Sequence, residues 1–370
     1  MRIMRVPRYH YSAQFGESID DLMEELRSMI LDGRYILTSE VQQFEDAFAE
    51  YCETAFARGV NCGTDAIMVA LLALGIRPDD EVITQANTFH ATAAAIRLIG
   101  AKPVLVDADE NSFLMDIDQV EAVVTRRTRV VMPVHLYGKP TSMTRLLDIV
   151  QRRDLILVED AAQAHGARIE GKRVGSFGVA ACFSFHPSKN LAAAGDAGAI
   201  VTNDPTLAEK IDEYRALGQR GQNNHVRVGF NTKLHSIQAK ILSAKLPYLD
   251  NWNARRRTVA KWYRQRLGGL PVTFQQESEG EEHVYHLFQI RTSKRDALLK
   301  HLLTDSIDAT VRYPTPLHLQ PAFAHCGWRA GQFPVAERLG RELLCLPLRP
   351  DMAPDEVDYV ADSMRRFFCD

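Results

Sequence analysis

One lysine in the stretch CFSFHPSKNLAAAGDAGAIVTND, Cys182 to Asp204, stands where an amine can react. Lys189 follows an apolar run and precedes Ala192, Ala193, Ala194 and Gly195, neighbours small enough to admit a bulky flat partner. A lysine amine that loses its proton, through burial or nearby cations, condenses with an aldehyde. Taken alone, a loop lysine is ordinarily solvated, so the other segments decide. Asp160 closes the apolar run LILVED, at the kind of strand end where open α/β sheets gather ligand-binding groups. It can pair there with a protonated ring nitrogen; its plainer role is to cap the helix that follows. Gln163, one turn onward, can hydrogen-bond a ring substituent. Gly63 and Thr64 open the apolar segment GTDAIMVALLALG, and a helix N-terminus offers a phosphate free N–H groups and a positive dipole end. No P-loop spacing accompanies it. Ser184 can add a hydroxyl to the same phosphate, and Phe89, in ANTFHAT, can stack on an aromatic ring or fill a core. In chain order these are a phosphate cradle, an aromatic lid, an acid for a ring nitrogen and an imine-forming lysine. Together they suit pyridoxal phosphate.

The elements that must carry these residues alternate. DEVIT, KPVLVDAD, RVVMPVHLYG, LILVEDAAQ, VAACFSF and GAIVT read as strands. HATAAAIRLIG, MDIDQVEAVVTRR and TSMTRLLDIVQRR read as helices between them, the last capped by Thr141 or Ser142. Unbroken Val/Ile/Leu runs mean strands covered on both faces, and intervening helices mean parallel crossovers. The fold class expected is α/β, a three-layer sandwich around a mostly parallel sheet. DPTLAEKIDEYRALG reads as a helix with Asp204 as cap and Pro205 in its first turn. Beyond Asn231 two long helical patterns surround a kink expected at Pro247. HVYHLFQIRT then alternates like a half-buried strand, ATVRYPTPLH reads as strand and turn, and DEVDYVADSMRRFF as a closing helix. The division expected is a large cofactor-binding domain over 1–245, N-terminal helices included, and a small α+β domain over 246–370.

Bulk properties narrow the class. A chain of 370 residues exceeds one ordinary core. Hydrophobic content of 46%, charged content of 25% and a mean hydropathy of -0.20 describe a globular protein. A net charge of -3 gives no footprint for nucleic acid. The longest apolar run, AIMVALLALGI, falls short of the ~20 residues a bilayer span needs, and the start MRIMRVPRYHYSAQFGES lacks the apolar core of a signal peptide. Six scattered cysteines without a C-x-x-C pair suit a reduced cytoplasmic protein and offer no zinc site.

With these residues in view, the chain resembles the sugar aminotransferases of the DegT type, a branch of the fold-type-I pyridoxal-phosphate enzymes. The resemblance runs almost end to end, through GRYILTSEVQQFEDAFAEYC, GTDAIMVALLALGIRPDDEVITQANTFHATAAAI, VHLYGKP, EDAAQAHGA, FSFHPSKNLAAAGDAGAIVT, GFNTKLHSIQAKIL and RYPTPLH. It implies that Lys189 carries the cofactor covalently and that Asp160 pairs its pyridinium nitrogen. It further implies that Thr64, Ser184 and the backbone around Gly63 and Asp65 hold the phosphate, that Phe89 stacks on the ring and that Gln163 contacts its hydroxyl side. Asn231, in GFNTKL, matches an asparagine that reaches the phosphate from the partner subunit, which implies a homodimer with shared active sites. Ser188, Ala192 and Ala197 replace glycines common among relatives, so the lysine loop is expected to be slightly stiffer. Lys233 stands where relatives usually have arginine, and lysine lacks the flat two-pronged donor.

The activity implied is ping-pong transamination from glutamate or glutamine to a nucleotide-linked keto-deoxyhexose, keto at C3 or C4, in amino-sugar and antibiotic biosynthesis. Candidate sugar contacts are His186, Tyr313 and His318; no metal is expected. His283 and His286 read as strand surface, and Arg255, Arg256 and Arg257 as a charged helix face. The alternatives are a cyclitol (keto-inositol) aminotransferase or aminoshikimate-type synthase, and, outside enzymes, a cofactor-binding regulator. A dehydratase branch carries histidine in place of the lysine present here.

Overall fold

A computed structural model describes residues 4–15 and 19–369. Helices α1 (Ile19–Leu31) and α2 (Ser39–Tyr51) lead into strand β1 (Phe56–Val60), α3 (Gly63–Ala73), β2 (Glu81–Gln85), α4 (His90–Leu98), β3 (Lys102–Val106) and β4 (Thr128–Val131). Next come α5 (Met143–Arg152), β5 (Ile156–Asp160), a short hairpin β6–β7 (Arg168–Ile169, Lys172–Arg173), β8 (Ala180–Ser184), β9 (Gly198–Thr202) and α6 (Pro205–Arg215). The sheet order is β1-β9-β8-β5-β4-β2-β3. Strands β8, β5, β4, β2 and β3 pair in parallel, and β9 runs antiparallel between β8 and β1. Every residue of β2 and β9 is buried, as the unbroken apolar runs require of strands covered on both faces. On one face α3 packs Ile67, Val69 and Leu71 against Val82, Val158 and Cys182; on the other α5 packs Leu146 and Ile149 against Ile83, Val131 and Leu157.

Asp204 caps α6 as its sequence position suggests, accepting from Thr206 N at 2.8 Å with Pro205 in the first turn. Helix α7 (Ser236–Lys245) passes through a 3-10 turn at Leu246–Tyr248, the kink expected at Pro247, into α8 (Leu249–Arg266). Ala239, Leu242 and Leu249 join the core beneath α2, whereas Val259 and Tyr263 join a second core with Leu298, Val360 and Met364. That second core lies on an antiparallel sheet of β10 (Thr273–Phe274), β12 (Phe288–Arg291) and β13 (Leu343–Leu346), while β11 (Glu281–Glu282) pairs with β6. Helices α9 (Arg295–Thr304), α10 (Pro334–Glu342) and α11 (Pro354–Cys369) complete it, and Val6, bridged to Ile307, packs into the same core.

Three local expectations are corrected. The helix expected across MDIDQVEAVVTRR is only two 3-10 turns, Ile117–Gln119 and Glu121–Val123. Asp116 accepts from Asp118 N at 3.1 Å and Gln119 bridges Asp107 N and Asp116, so side chains take the bonds a helix would use. HVYHLFQIRT is a strand only from Phe288, and His283 and His286 are buried, not surface. His283 faces Gln275 at 3.2 Å and His286 faces Asn190 at 3.3 Å. Arg256 likewise turns inward, onto the carbonyls of Tyr285 (3.1 Å) and Leu348 (3.2 Å).

Candidate active site

The carboxyl ends of the parallel strands open on a cleft of roughly 340 Å³, lined among others by Gly63, Asp160, Ser184, Lys189 and Arg312. Strand alternation sorts the adjacent acids of β5. Glu159 points into the core and is fully spent there, accepting from the N–H groups of Gly175 (2.8 Å), Phe177 (2.9 Å) and Gly178 (2.8 Å), with His135 at 3.1 Å. Asp160 faces the cleft. It is buried and accepts from Thr92 Oγ1 at 2.8 Å and from Ala162 N at 3.2 Å; the latter closes a turn, and no helix follows for it to cap. Burial raises its pKa, against the Thr92 and Ala162 hydrogen bonds and the Lys189 charge that lower it. A cationic ring nitrogen is the partner that such a desolvated carboxylate lacks.

Lys189 is held by its neighbours. Its N–H donates to His186 O at 2.8 Å, and the next side chain, Asn190, is anchored on Asn253 (3.0 Å) and Val284 O (2.9 Å). Gln238 of α7 clamps Ala194 through both its amide atoms, at 2.9 and 3.1 Å. Burial pulls the Lys189 amine down to about 8; Asp160 opposes the shift and the Arg312 charge adds to it. The neutral amine that condensation needs is therefore reached far below the ordinary lysine range.

The phosphate end is equally defined. Cys62 caps α3, its Sγ accepting from Asp65 N at 3.4 Å, so the cap is a cysteine, not Thr64. A Cβ at Gly63 would stand 2.6 Å from Ser184 Cβ, and one at Gly198 2.5 Å from the Cys62 carbonyl. Only glycines allow the helix N-terminus and β8 to approach this closely, and the approach brings Thr64 and Ser184 to one end of the cleft. The residues present fit a phosphorylated pyridine aldehyde.

Phe89 is half exposed at the cleft, its ring 5.4 Å from that of Tyr313. Gln163 also lines it, accepting from Tyr137 N at 2.8 Å and donating to Tyr313 OH at 2.9 Å. His186 lines the cleft beside Ser188, 2.9 Å from its hydroxyl, and burial lowers its pKa. Three expected residues stand apart from this cleft. Asp65 contributes its backbone to the α3 cap without lining the cleft. Asn231 is exposed and pairs with Lys233. His318 is buried, its Nε2 2.9 Å from Glu337 Oε1 and its ring against Phe333, so it serves the packing of α10. Thr92 and Arg312 are among the cleft residues that escape the sequence reading. The HATA spacing places Thr92 one turn beyond Thr88 at a helix start, and Arg312 directly precedes Tyr313, so both carry a weak positional signal.

The sequence model of the DegT/DnrJ/EryC1/StrS aminotransferase family matches residues 17–365. The chain belongs to this family. It is a pyridoxal-phosphate-dependent aminotransferase of the fold-type-I kind. Among relatives, the pleiotropic regulatory protein of Geobacillus stearothermophilus is 43% identical, covering 99% of each chain. The dTDP-3-amino-3,4,6-trideoxy-alpha-D-glucose transaminase of Streptomyces venezuelae is 42% identical over 98% of this chain and 96% of its own. The crystal structure of S. venezuelae DesV in complex with a ketimine intermediate matches with a TM-score of 0.95 and 42% identity, covering 98% of both chains. Like these DegT-family proteins, the chain spans the whole fold. Among the described residues no cluster of His, Cys, Asp or Glu suits a metal ion, and no helix is long and apolar enough to cross a membrane.

Proposed function

We propose that this aminotransferase moves an amino group from glutamate or glutamine to C3 of a nucleoside-diphosphate-linked 3-keto-deoxyhexose. The observation that carries the reading is a cleft holding Lys189 and the strand-end Asp160 in a chain 42% identical to a dTDP-3-amino-sugar transaminase. The bound cofactor supplies an electron sink. The chain's own residues do the rest. Asp160 keeps a positive charge on the ring nitrogen, and the α3 N-terminus with Thr64 and Ser184 holds the phosphate. Lys189 Nζ would hold the cofactor until the donor amine took its place, and would then be the group that moves the donor's α-proton. Gln163 and Phe89 fix the ring, and Tyr313 with His186 faces the sugar.

A homodimer with shared sites goes with this reading. Val228, 92% exposed, Phe230, Tyr35, Ile36 and Leu37 are exposed apolar residues, and the bridge of Ile36 to His235 joins the segment of the latter three to that of Asn231. Asn231 lies within the same segment, where a second subunit would receive it. A cytoplasmic place in deoxyamino-sugar biosynthesis accords with the unpaired cysteines. The regulatory name of the Geobacillus relative favours a second reading as a sensor; Lys189 and Asp160, both lining the cleft, support the enzyme reading. Mass spectrometry of products from 3-keto and 4-keto sugar nucleotides and keto-inositol, each with glutamate, is the test. An added amine on the 3-keto sugar alone supports the proposal. Amination of keto-inositol alone moves the chain to the cyclitol enzymes, and no amination of any acceptor leaves the sensor.

A further inference from the structure

Among the described residues Arg312 is a cation without an ion-pair partner. Its guanidinium lines the cleft that Lys189 and Asp160 line, and its charge is felt at Lys189, His186 and Tyr313. The contact it makes is a neutral one, Nη2 donating to Tyr9 OH at 2.9 Å, and its buried Nε–H has no partner. Among the described residues no carboxylate stands within ion-pair distance of it. Arg256, buried nearby, differs because it is occupied by the carbonyls of Tyr285 and Leu348. A guanidinium is a permanent cation, and a half-buried one whose Nε–H has no partner is costly, so the cleft is built to receive an anion at this point.

We infer that Arg312 receives the α-carboxylate of the amino donor. The inference rests on the transaminase reading above and names the residue that selects its first substrate. Two anions enter such a site, the donor's carboxylate and the sugar's diphosphate, and geometry separates them. The donor's amine and carboxylate share one carbon, so when the amine occupies the position of Lys189 Nζ the carboxylate lies immediately beside it. The diphosphate is held away from the 3-keto carbon by ring carbons C2 and C1 and a bridging oxygen. Arg312 lines the same cleft as Lys189 and directly precedes Tyr313, whose hydroxyl Gln163 holds at 2.9 Å, which places it with the nearer anion. A planar carboxylate also matches the fork of a guanidinium, and Lys233, where relatives usually carry arginine, cannot offer that fork.

The test uses the holoenzyme and the cofactor absorbance, titrated with L-glutamate, L-alanine, α-methylglutamate and the 3-amino-sugar nucleotide. α-Methylglutamate has no α-proton, so its response reports binding without turnover. In Arg312→Gln the half-saturating concentrations of all three amino acids should rise by roughly tenfold to a hundredfold, with the amino sugar within about twofold of wild type. Arg312→Lys, a guard against misfolding, should weaken the amino acids several-fold. Tyr9→Phe, which removes the hydrogen bond and leaves the guanidinium, should keep them within about threefold. Unchanged amino-acid affinity in Arg312→Gln or Arg312→Lys, weakening of glutamate but not alanine, or weakening of the amino sugar instead would each overturn the assignment. A wild-type enzyme whose absorbance answers to no amine would sink the transaminase reading itself, and this inference with it.

Discussion

Asp160 and Ser184 reach the cleft from the ends of paired strands, whereas Lys189, on a turn beyond β8, and Arg312, Tyr313 and His318 stand on segments with little regular structure. On the strand side direction follows from the pleat: Glu159 goes to the core and Asp160, its neighbour, to the cleft. On the other side no ladder imposes alternation. Tyr313 adopts a φ of 56°, so it and Arg312 both face the cleft, while His318 turns away to Glu337. The contrast teaches that hydrogen-bonded strands let the sequence tell which side chain faces the cleft, whereas on irregular segments orientation depends on local turns and tertiary partners.

The comparison can be broken by substitution on each wall. Lys189→Ala should cost the most, roughly 10²–10⁴-fold in kcat, measured as amine product formed. Asp160→Asn keeps the shape and the Thr92 contact, so circular dichroism should be unchanged while kcat falls on the order of 10²–10³-fold. A smaller effect is read from pH. Burial holds the Lys189 amine near 8, so its neutral fraction, and the rate at which apoenzyme takes up pyridoxal phosphate, should rise about tenfold per pH unit up to about 8 and then level. A rate still climbing toward the ordinary lysine range would show that the amine is not desolvated. His318→Ala should change kcat/KM least, by less than about twofold, while denaturant titration shows a loss of about 1–3 kcal/mol from the broken Glu337 pair.

The same distinction separates what residue order discloses from what only the folded chain does. Strand runs, the Asp204 cap, the kink at Pro247 and the four cleft groups Gly63, Asp160, Ser184 and Lys189 are legible in the sequence, because each follows from periodicity or a local rule. The fate of MDIDQVEAVVTRR is not, because Asp116 and Gln119 side chains compete for the backbone bonds of the helix its pattern suggests. His283 and His286 resemble surface residues because alternation cannot reveal that tertiary partners, Gln275 and Asn190, bury them. Arg312 gives only the weak signal of its place before Tyr313, because whether an acid stands within ion-pair reach of a cation is decided by the fold.

The central claim is that one amine, Lys189 Nζ, holds the cofactor. Borohydride reduction of the holoenzyme, followed by proteolysis and peptide mapping, tests it most directly. Lys245 is the fair competitor, since burial brings its amine to about 8 as well, but its Nζ is committed to Ala192 O at 2.8 Å. The account predicts the cofactor mass on the peptide containing Lys189 alone. The mass on Lys245 or another lysine, or on none, would contradict it.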